Sequence, residues 1–176
     1  MKVFIDCGAY DGDSIEQFYN WFKLIDDPTE YNIFAFEPNP TVMAKAKERL
    51  TNKKVVFSDN AVWIENGTKE FSVYDVGSTL MKSKSTWDKG VKIEVDTIDF
   101  SEWIKQFEND YVFVKLDCEG AEFPILEKMI QDDTLKVIDL LAVEFHPNKV
   151  SDYTTTDKNN LIEKIKQQGI KLYEWH

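Results

Sequence analysis

Two glycines lie among three aspartates in the stretch VFIDCGAYDGDS at residues 3–14. A short apolar run ends at Asp6, Gly8 and Gly12 follow, and a helix-like pattern begins at about Asp13. Glycine has no Cβ and takes positive φ readily, so the backbone around it can come close to a ligand. The stretch therefore predicts a strand, a ligand-binding turn and a helix. The alternative is that the two glycines only make a tight turn.

Acidic side chains recur where four further apolar runs end. They are Glu37 after 32–36, Asp59 with Asn60 after 54–57, Asp117 and Glu119 after 111–116, and Glu144 with His146 at the end of 137–145. If these runs are parallel strands, their carboxyl ends share one edge of a sheet, where ligands bind in open α/β folds. The sequence therefore predicts one acid-lined site at that edge.

The glycine spacing and the nearby charges argue against phosphate ligands. Gly8 and Gly12 give G-x-x-x-G, not the G-x-G-x-x-G of dinucleotide sites, and Asp11 and Asp13 at the helix start would repel a pyrophosphate. The chain also has no G-x-x-x-x-G-K-[ST] sequence of nucleoside triphosphatases. An NAD-dependent dehydrogenase, which would change nicotinamide fluorescence on titration, is disfavoured.

A ligand with a ribose, an ammonium group and a positive centre suits the acids better, and S-adenosyl-L-methionine has all three. Glu37, at the end of the second strand, is placed to accept hydrogen bonds from ribose hydroxyls. Asp6 and the backbone of 8–12 are placed to receive the methionine part. Because the sulfonium loses its charge on methyl transfer, the site must mainly orient it for in-line attack.

Apolar runs of strand type alternate with helix-type patterns along most of the chain. The helix after the glycine turn is expected to run to about residue 26, further helices are expected at about 40–50, 97–107, 121–130 and 157–168, and further strands at 91–95 and 170–175. Ser14 and Gln17 have the form of a capping box. Asn66-Gly67 predicts a type I′ hairpin between 61–64 and 70–74, and the polar residues 75–90 form a candidate lid. This alternation predicts a single domain over 1–176 with a doubly wound, mostly parallel α/β sheet.

The composition limits the partners. The net charge of −11 and the pI near 4.7 disfavour nucleic acid and anionic membranes. No signal-peptide pattern and no long apolar run are present, so we expect a cytoplasmic protein. Cys7 and Cys118 have no metal-site spacing and are expected to be reduced core residues, neighbours on adjacent strands.

Five blocks, in order, resemble the FkbM-type methyltransferases, a branch of the class I S-adenosylmethionine-dependent enzymes. They are VFIDCGAYDGDS, FEPNP, DNAV, VDTID and VKLDCEGAEFPIL, between residue 3 and about residue 146. The resemblance implies a minimal version of the Rossmann-like class I fold and O-methylation of a hydroxyl on a small molecule such as a sugar or secondary metabolite. It also implies that Gly8, Gly12 and Glu37 contact the cofactor and that Asp59 lies near the adenine. Asp6, Ala9, Asn60 and Asp117 complete the expected cofactor site.

The chain departs from the family where substrate would be covered. It begins directly at the first strand and ends after one strand beyond the fifth, whereas family members often carry N-terminal helices and finish with a hairpin. We expect the missing cover to come from residues 75–90 or from a second subunit in a homo-oligomer. A non-catalytic module that keeps the cofactor pocket without a substrate cover is the second hypothesis.

Three residues are candidates for taking the proton of the acceptor hydroxyl: Asp117, Glu119 and His146. Asp117 could instead hold the methionine ammonium. Glu119 and Glu122 could be helix-start charges favoured by the dipole, and His146 a loop residue before Pro147. A divalent cation held by Asp117, Glu144 and His146 is the less favoured alternative. Trp87 and Trp103 are candidates for stacking on substrate, with core packing favoured for Trp103.

Overall fold

The structure is a computed structural model that describes residues 1–175, over which it forms nine strands and five α-helices. The strands are β1 Lys2–Cys7, β2 Tyr31–Phe36, β3 Val55–Ser58, β4 Ala61–Trp63, β5 Gly67–Val73, β6 Val91–Asp99, β7 Tyr111–Leu116, β8 Leu140–Val143 and β9 Lys171–Glu174. The helices are α1 Asp13–Trp21, α2 Pro40–Arg49, α3 Phe100–Trp103, α4 Glu122–Gln131 and α5 Thr155–Gln167.

Six strands form one parallel sheet in the order β3-β2-β1-β7-β8-β9, with α-helices on both faces. Cys7 at the end of β1 is in register with Phe36 of β2 and Leu116 of β7, so three strands end at the same level. From β1 the chain adds strands first on the β2 side and later on the β7 side, so the boundary between β1 and β7 is the switch point of a doubly wound fold. The predicted fold class is confirmed.

Apolar side chains explain this layering, because the central strands are buried on both faces. On one face Phe4 of β1 stacks on Phe18 of α1, with ring centroids 4.2 Å apart. On the other face α3, α4 and α5 pack against β1, β7 and β8. Within residues 1–175, no helix is long and apolar enough to cross a membrane.

The predicted hairpin around Asn66-Gly67 is wrong, because β6 lies between its two strands in a separate three-stranded sheet of order β4-β6-β5. Thr97 of β6 is in register with Ala61 of β4, in a parallel pair, and with Gly67 of β5, in an antiparallel pair. The Asn66 side chain accepts the Asp99 backbone N–H (3.0 Å). The nine residues of β6 offer more backbone pairing than a local turn between β4 and β5 could supply.

Two helix starts also differ from the sequence expectation. Residues 97–99 belong to β6, so α3 begins at Phe100. The Ser14–Gln17 capping box is absent among the described residues: Gly12 is the N-cap of α1, with φ of 87°, and the Ser14 hydroxyl donates to Asp6. Asp6 is fully buried and needs donors, which outweighs a local cap.

Candidate functional site

A cavity of about 210 Å³ opens at the carboxyl edge of the sheet, where β1 lies between β2 and β7. Its wall is formed by the loops after these strands, through Gly8, Tyr10, Glu37, Pro38, Asp117 and Glu119. Residues of 75–90, namely Val76, Gly77, Ser78 and Leu80, close another side. The expected candidate lid therefore lies on the cavity, and the site is at the switch point.

Gly8 allows the β1 loop to lie directly against the neighbouring strand ends. Its φ is 84°, and a Cβ built there would lie 1.9 Å from the carbonyl oxygen of Asp117. The N–H groups of Gly8 and Ala9 both donate to the Phe36 carbonyl, each at 3.0 Å. These bonds hold the turn against β2. Only glycine fits at position 8, because the turn also lies directly against the Asp117 carbonyl oxygen.

Glu37 is the buried acid of the cavity wall. Its two carboxylate oxygens accept the backbone N–H groups of Tyr10 (3.0 Å) and Asn39 (2.8 Å). Burial raises the pKa of Glu37 to about 7, although the two backbone hydrogen bonds act to lower it. Each oxygen retains acceptor capacity for a ligand hydroxyl, because an ionised carboxylate has about four lone-pair sites.

A buried lysine joins Asp6 and Asp117 beneath the cavity. Lys115 Nζ lies 3.3 Å from Asp6 Oδ1, 3.2 Å from Asp117 Oδ2 and 3.4 Å from the Gly8 carbonyl oxygen. Burial would lower the pKa of Lys115, but the two carboxylates raise it above its usual value. Lys115 thus stays charged and orients Asp117, whereas Asp6 is turned away from the cavity wall into this buried pair.

A second charged cluster surrounds His146, which is 3% exposed. Its Nδ1 lies 3.2 Å from Glu122 Oε1, and its Nε2 lies 3.4 Å from Glu144, 3.6 Å from Glu119 and 3.9 Å from Asp117 carboxylate oxygens. Burial lowers the pKa of His146, but Glu122 and Glu119 raise it above its usual value overall. The structure thus brings Asp117, Glu119, Glu144 and His146 together.

Glu119 also fastens the 75–90 segment to the site. It has φ of 53°, and its Oε2 accepts from Lys84 Nζ at 2.6 Å. Lys84 Nζ donates as well to the Gly77 carbonyl oxygen (2.6 Å), and Thr79 Oγ1 donates to the Glu119 carbonyl oxygen (2.9 Å). Lys84 thus ties the candidate lid to the loop after β7.

Several expected site residues lie off the cavity wall. Ala9 is buried, and Gly12 faces α2, where a Cβ would lie 2.8 Å from Leu50 Cδ1. Asp59 is exposed and Asn60 half-buried after β3. Instead Ala61 and Val62 of β4 line the cavity.

Neither tryptophan is placed as a stacking platform in the cavity. Trp103 packs edge-on against Phe36, with centroids 5.0 Å apart, as core packing predicts. Trp87 is buried under Lys92, whose Nζ is 4.6 Å from the ring centroid. Cys7 lies buried at the end of β1 and Cys118 just beyond β7, both as free thiols.

Sequence reasoning missed Lys115, Lys84 and Tyr10. Lys115 had a usable signal, since it is the one charge inside the apolar run of β7. Lys84 sits in a polar segment without pattern, and Tyr10 acts through its backbone N–H. These two roles depend on contacts with distant parts of the chain.

The strands are parallel, and the order in which the chain adds them to the sheet reverses between β1 and β7. Such a sheet, with a cavity at its carboxyl edge, defines a Rossmann-like fold. The profile of the methyltransferase FkbM domain matches residues 6–172, and the chain belongs to this family. The structure is similar to a crystal structure of methyltransferase FkbM from Methylobacillus flagellatus KT, with a TM-score of 0.57 and 16% sequence identity. The match covers 94% of this chain and 37% of that one. No curated protein matches the chain by sequence.

Proposed function

We propose that the protein is an S-adenosyl-L-methionine-dependent O-methyltransferase that acts on a hydroxyl of a small molecule such as a sugar or secondary metabolite. The observation that carries the proposal is the pairing of Glu37 with the Gly8 turn on one cavity wall, in a chain of a methyltransferase family. A carboxylate at the end of the second strand suits a ribose diol, and a turn without a side chain leaves room for the methionine part.

The residues present fit this cofactor. A Cβ at Gly8 would fill the turn, and Glu37 offers acceptors beside it. When bound, the cofactor supplies an electrophilic methyl group. Lys115 holds Asp117 at the cavity wall, where its carboxylate would be available to the ammonium or to the acceptor, and Asp6 supports the turn from below through Ser14 and Lys115.

Proton removal from the acceptor falls to the acids after β7. Asp117 and Glu119 line the cavity, and His146 lies behind them, with Nε2 within 3.9 Å of both carboxylates. General bases must come within hydrogen-bond reach of the hydroxyl, which favours the two carboxylates over the buried imidazole. Residues 76–80 line the side of the cavity where the acceptor would bind. A second subunit is the other candidate for covering the acceptor.

A Glu37→Gln substitution tests the cofactor site. We expect S-adenosylhomocysteine to bind the wild type and to bind the variant about 10- to 100-fold more weakly, since hydrogen bonds to charged groups contribute about 1.5–3 kcal/mol. Isothermal titration calorimetry measures both affinities, and thermal unfolding checks the fold. The matched control is Glu48→Gln on the exposed face of α2, which should bind as the wild type does. Absence of wild-type binding would refute the cofactor assignment.

The affinity should also depend on pH through Glu37. The carboxylate accepts ribose hydroxyls in its ionised form, and with a pKa of about 7 only about one molecule in eleven is ionised at pH 6. We expect S-adenosylhomocysteine to bind roughly tenfold more weakly at pH 6 than at pH 8. Calorimetric titrations at both pH values measure this, and Glu37→Gln should show a clearly shallower dependence. Equal slopes for the two proteins would contradict the role of Glu37.

The alternative is a module that binds the cofactor without transferring its methyl group. The observation in its favour is that the match covers only 37% of the solved FkbM methyltransferase, so most of that chain lies outside the match. A panel of hydroxylated acceptors with radiolabelled S-adenosylmethionine separates the two. Label transfer to an acceptor supports the enzyme, and cofactor binding with no transfer across the panel supports the module.

A further inference from the structure

We propose that Asp117, Glu144 and His146 bind a divalent first-row transition-metal ion beside the cavity. The ion binding stands on these residues alone, while its role in activating an acceptor hydroxyl rests on the proposed methyl transfer. The sequence favours a site without metal. The arrangement of the side chains around His146 reverses that preference.

Glu122 orients the imidazole. It is fully buried, its Oε1 accepts the Cys118 N–H (2.6 Å) and its Oε2 the Gly120 N–H (2.9 Å). His146 Nδ1 lies 3.2 Å from the same Oε1, and a carboxylate so placed accepts the Nδ1 proton. The Nε2 lone pair of the neutral imidazole is then free. Carboxylate-to-histidine contacts of this kind are the usual support behind a metal-ligating histidine.

The other ring nitrogen lies among anions. His146 Nε2 has no hydrogen-bond partner among residues 1–175, although the side chain is almost fully buried. It lies 3.4 Å from Glu144 Oε1 and 3.9 Å from Asp117 Oδ1. A lone pair facing two carboxylates is unfavourable unless positive charge lies between them. Two ligands each about 2.1 Å from a tetrahedral ion are about 3.4 Å apart, which matches the distance from Nε2 to Glu144, whereas the 3.9 Å to Asp117 is longer. Among the described residues, Asp117, Glu122 and His146 offer ligand atoms that all lie within 4.8 Å of one another, and Glu144 joins them through its contact with Nε2.

The remaining hydrogen bonds leave suitable atoms for an ion. Asp117 lines the cavity and uses Oδ2 for Lys115, so Oδ1, the atom that faces His146 Nε2, is available. Glu119 Oε2 is 3.6 Å from Nε2, but it is committed to Lys84 at 2.6 Å. Glu119 is therefore left as a proton acceptor beside the ion. An acceptor hydroxyl that completes the coordination would have its pKa lowered by the ion and would lose its proton more readily.

The donor set selects among ions. One imidazole and two carboxylates suit Mn²⁺, Co²⁺ or Zn²⁺, whereas Mg²⁺ prefers oxygen ligands and keeps its waters. We therefore expect Zn²⁺ and Co²⁺ to bind more tightly than Mg²⁺. The competing explanation is an imidazolium whose Nε2 proton supplies the positive charge between the carboxylates.

Titration of the metal-free full chain with Co²⁺ tests the proposal. We expect one Co²⁺ per chain with visible d–d absorption, displacement by one equivalent of Zn²⁺, and at least tenfold weaker binding by His146→Gln. Glu122→Gln, a positioning variant, should weaken binding 10- to 100-fold and shift the Co²⁺ absorption. Glu102→Gln, an exposed acid away from the cluster, is the matched control. Thermal unfolding checks that each variant is folded.

The outcomes separate this inference from the proposed function. No saturable Co²⁺ or Zn²⁺ binding by the wild type, or binding unchanged in folded His146→Gln, overturns the metal site and leaves the imidazolium. S-adenosylhomocysteine titrated into the metal-free protein reports on the cofactor site by itself. Metal binding without S-adenosylhomocysteine binding would refute the proposed function while supporting the metal site, and the reverse result would do the opposite.

Discussion

A Gly8→Ala substitution is expected to lower the free energy of unfolding by about 3 kcal/mol or more. Positive φ costs a non-glycine residue roughly 1–2 kcal/mol, and overpacking typically adds 1–3 kcal/mol. The upper end applies here, because the new Cβ would lie 1.9 Å from a backbone oxygen, that of Asp117. Neither β1 nor β7 can yield without breaking its pairing with the other. Urea unfolding with linear extrapolation measures the loss.

Gly169→Ala is the matched control for this prediction. Gly169 has φ of 80°, close to the 84° of Gly8, but apart from Gly169 itself and its two chain neighbours no atom of residues 1–175 comes within 4 Å of its added Cβ. This control should therefore cost only the conformational part, roughly 1–2 kcal/mol. The difference between the two variants isolates the close approach of the β1 turn to the end of β7. Equal losses of unfolding free energy in the two variants would contradict this close contact.

A Lys115→Met substitution is expected to lower the free energy of unfolding by about 3–5 kcal/mol, the usual cost of removing one partner from a buried ion pair. The change leaves the Asp6 carboxylate, which is fully buried, facing Asp117 without a cation between them. It also removes a donor from the Gly8 carbonyl. Methionine is unbranched and only one atom shorter than lysine, so the loss reports mainly on charge. Urea unfolding at pH 7 measures it.

Two further variants sharpen the test. Lys105→Met removes an exposed pair with Glu102 on the surface of the chain, where such pairs contribute about 0–1 kcal/mol. The double variant Asp6→Asn/Lys115→Met should be more stable than Lys115→Met, because the uncompensated buried charge is gone. A loss below about 1 kcal/mol for Lys115→Met, or no recovery in the double variant, would contradict the buried triad.

Much of the site's location was predictable from local sequence. Glu37, Asp117, Glu119 and His146 each follow an apolar run, and parallel strands place such positions at one edge. The structure confirms the edge and the β1–β7 switch point. The preference for a ligand other than phosphate, which stays a prediction, also came from nearby residues, since Asp11 and Asp13 flank the N-cap of α1.

What the sequence by itself determined is therefore the element order, the parallel sheet and the edge that carries the acids. These follow from burial patterns, which are properties of each segment. Only the tertiary structure decided where each acid lies and what it contacts. Asp6 is in register with Lys115, 109 residues away, and is withdrawn from the cavity into an ion pair, whereas Asp117 reaches the cavity wall. Likewise β6 separates β4 from β5. Such outcomes depend on register between distant strands, because a buried charge or an unpaired strand must find its partner wherever the fold places one.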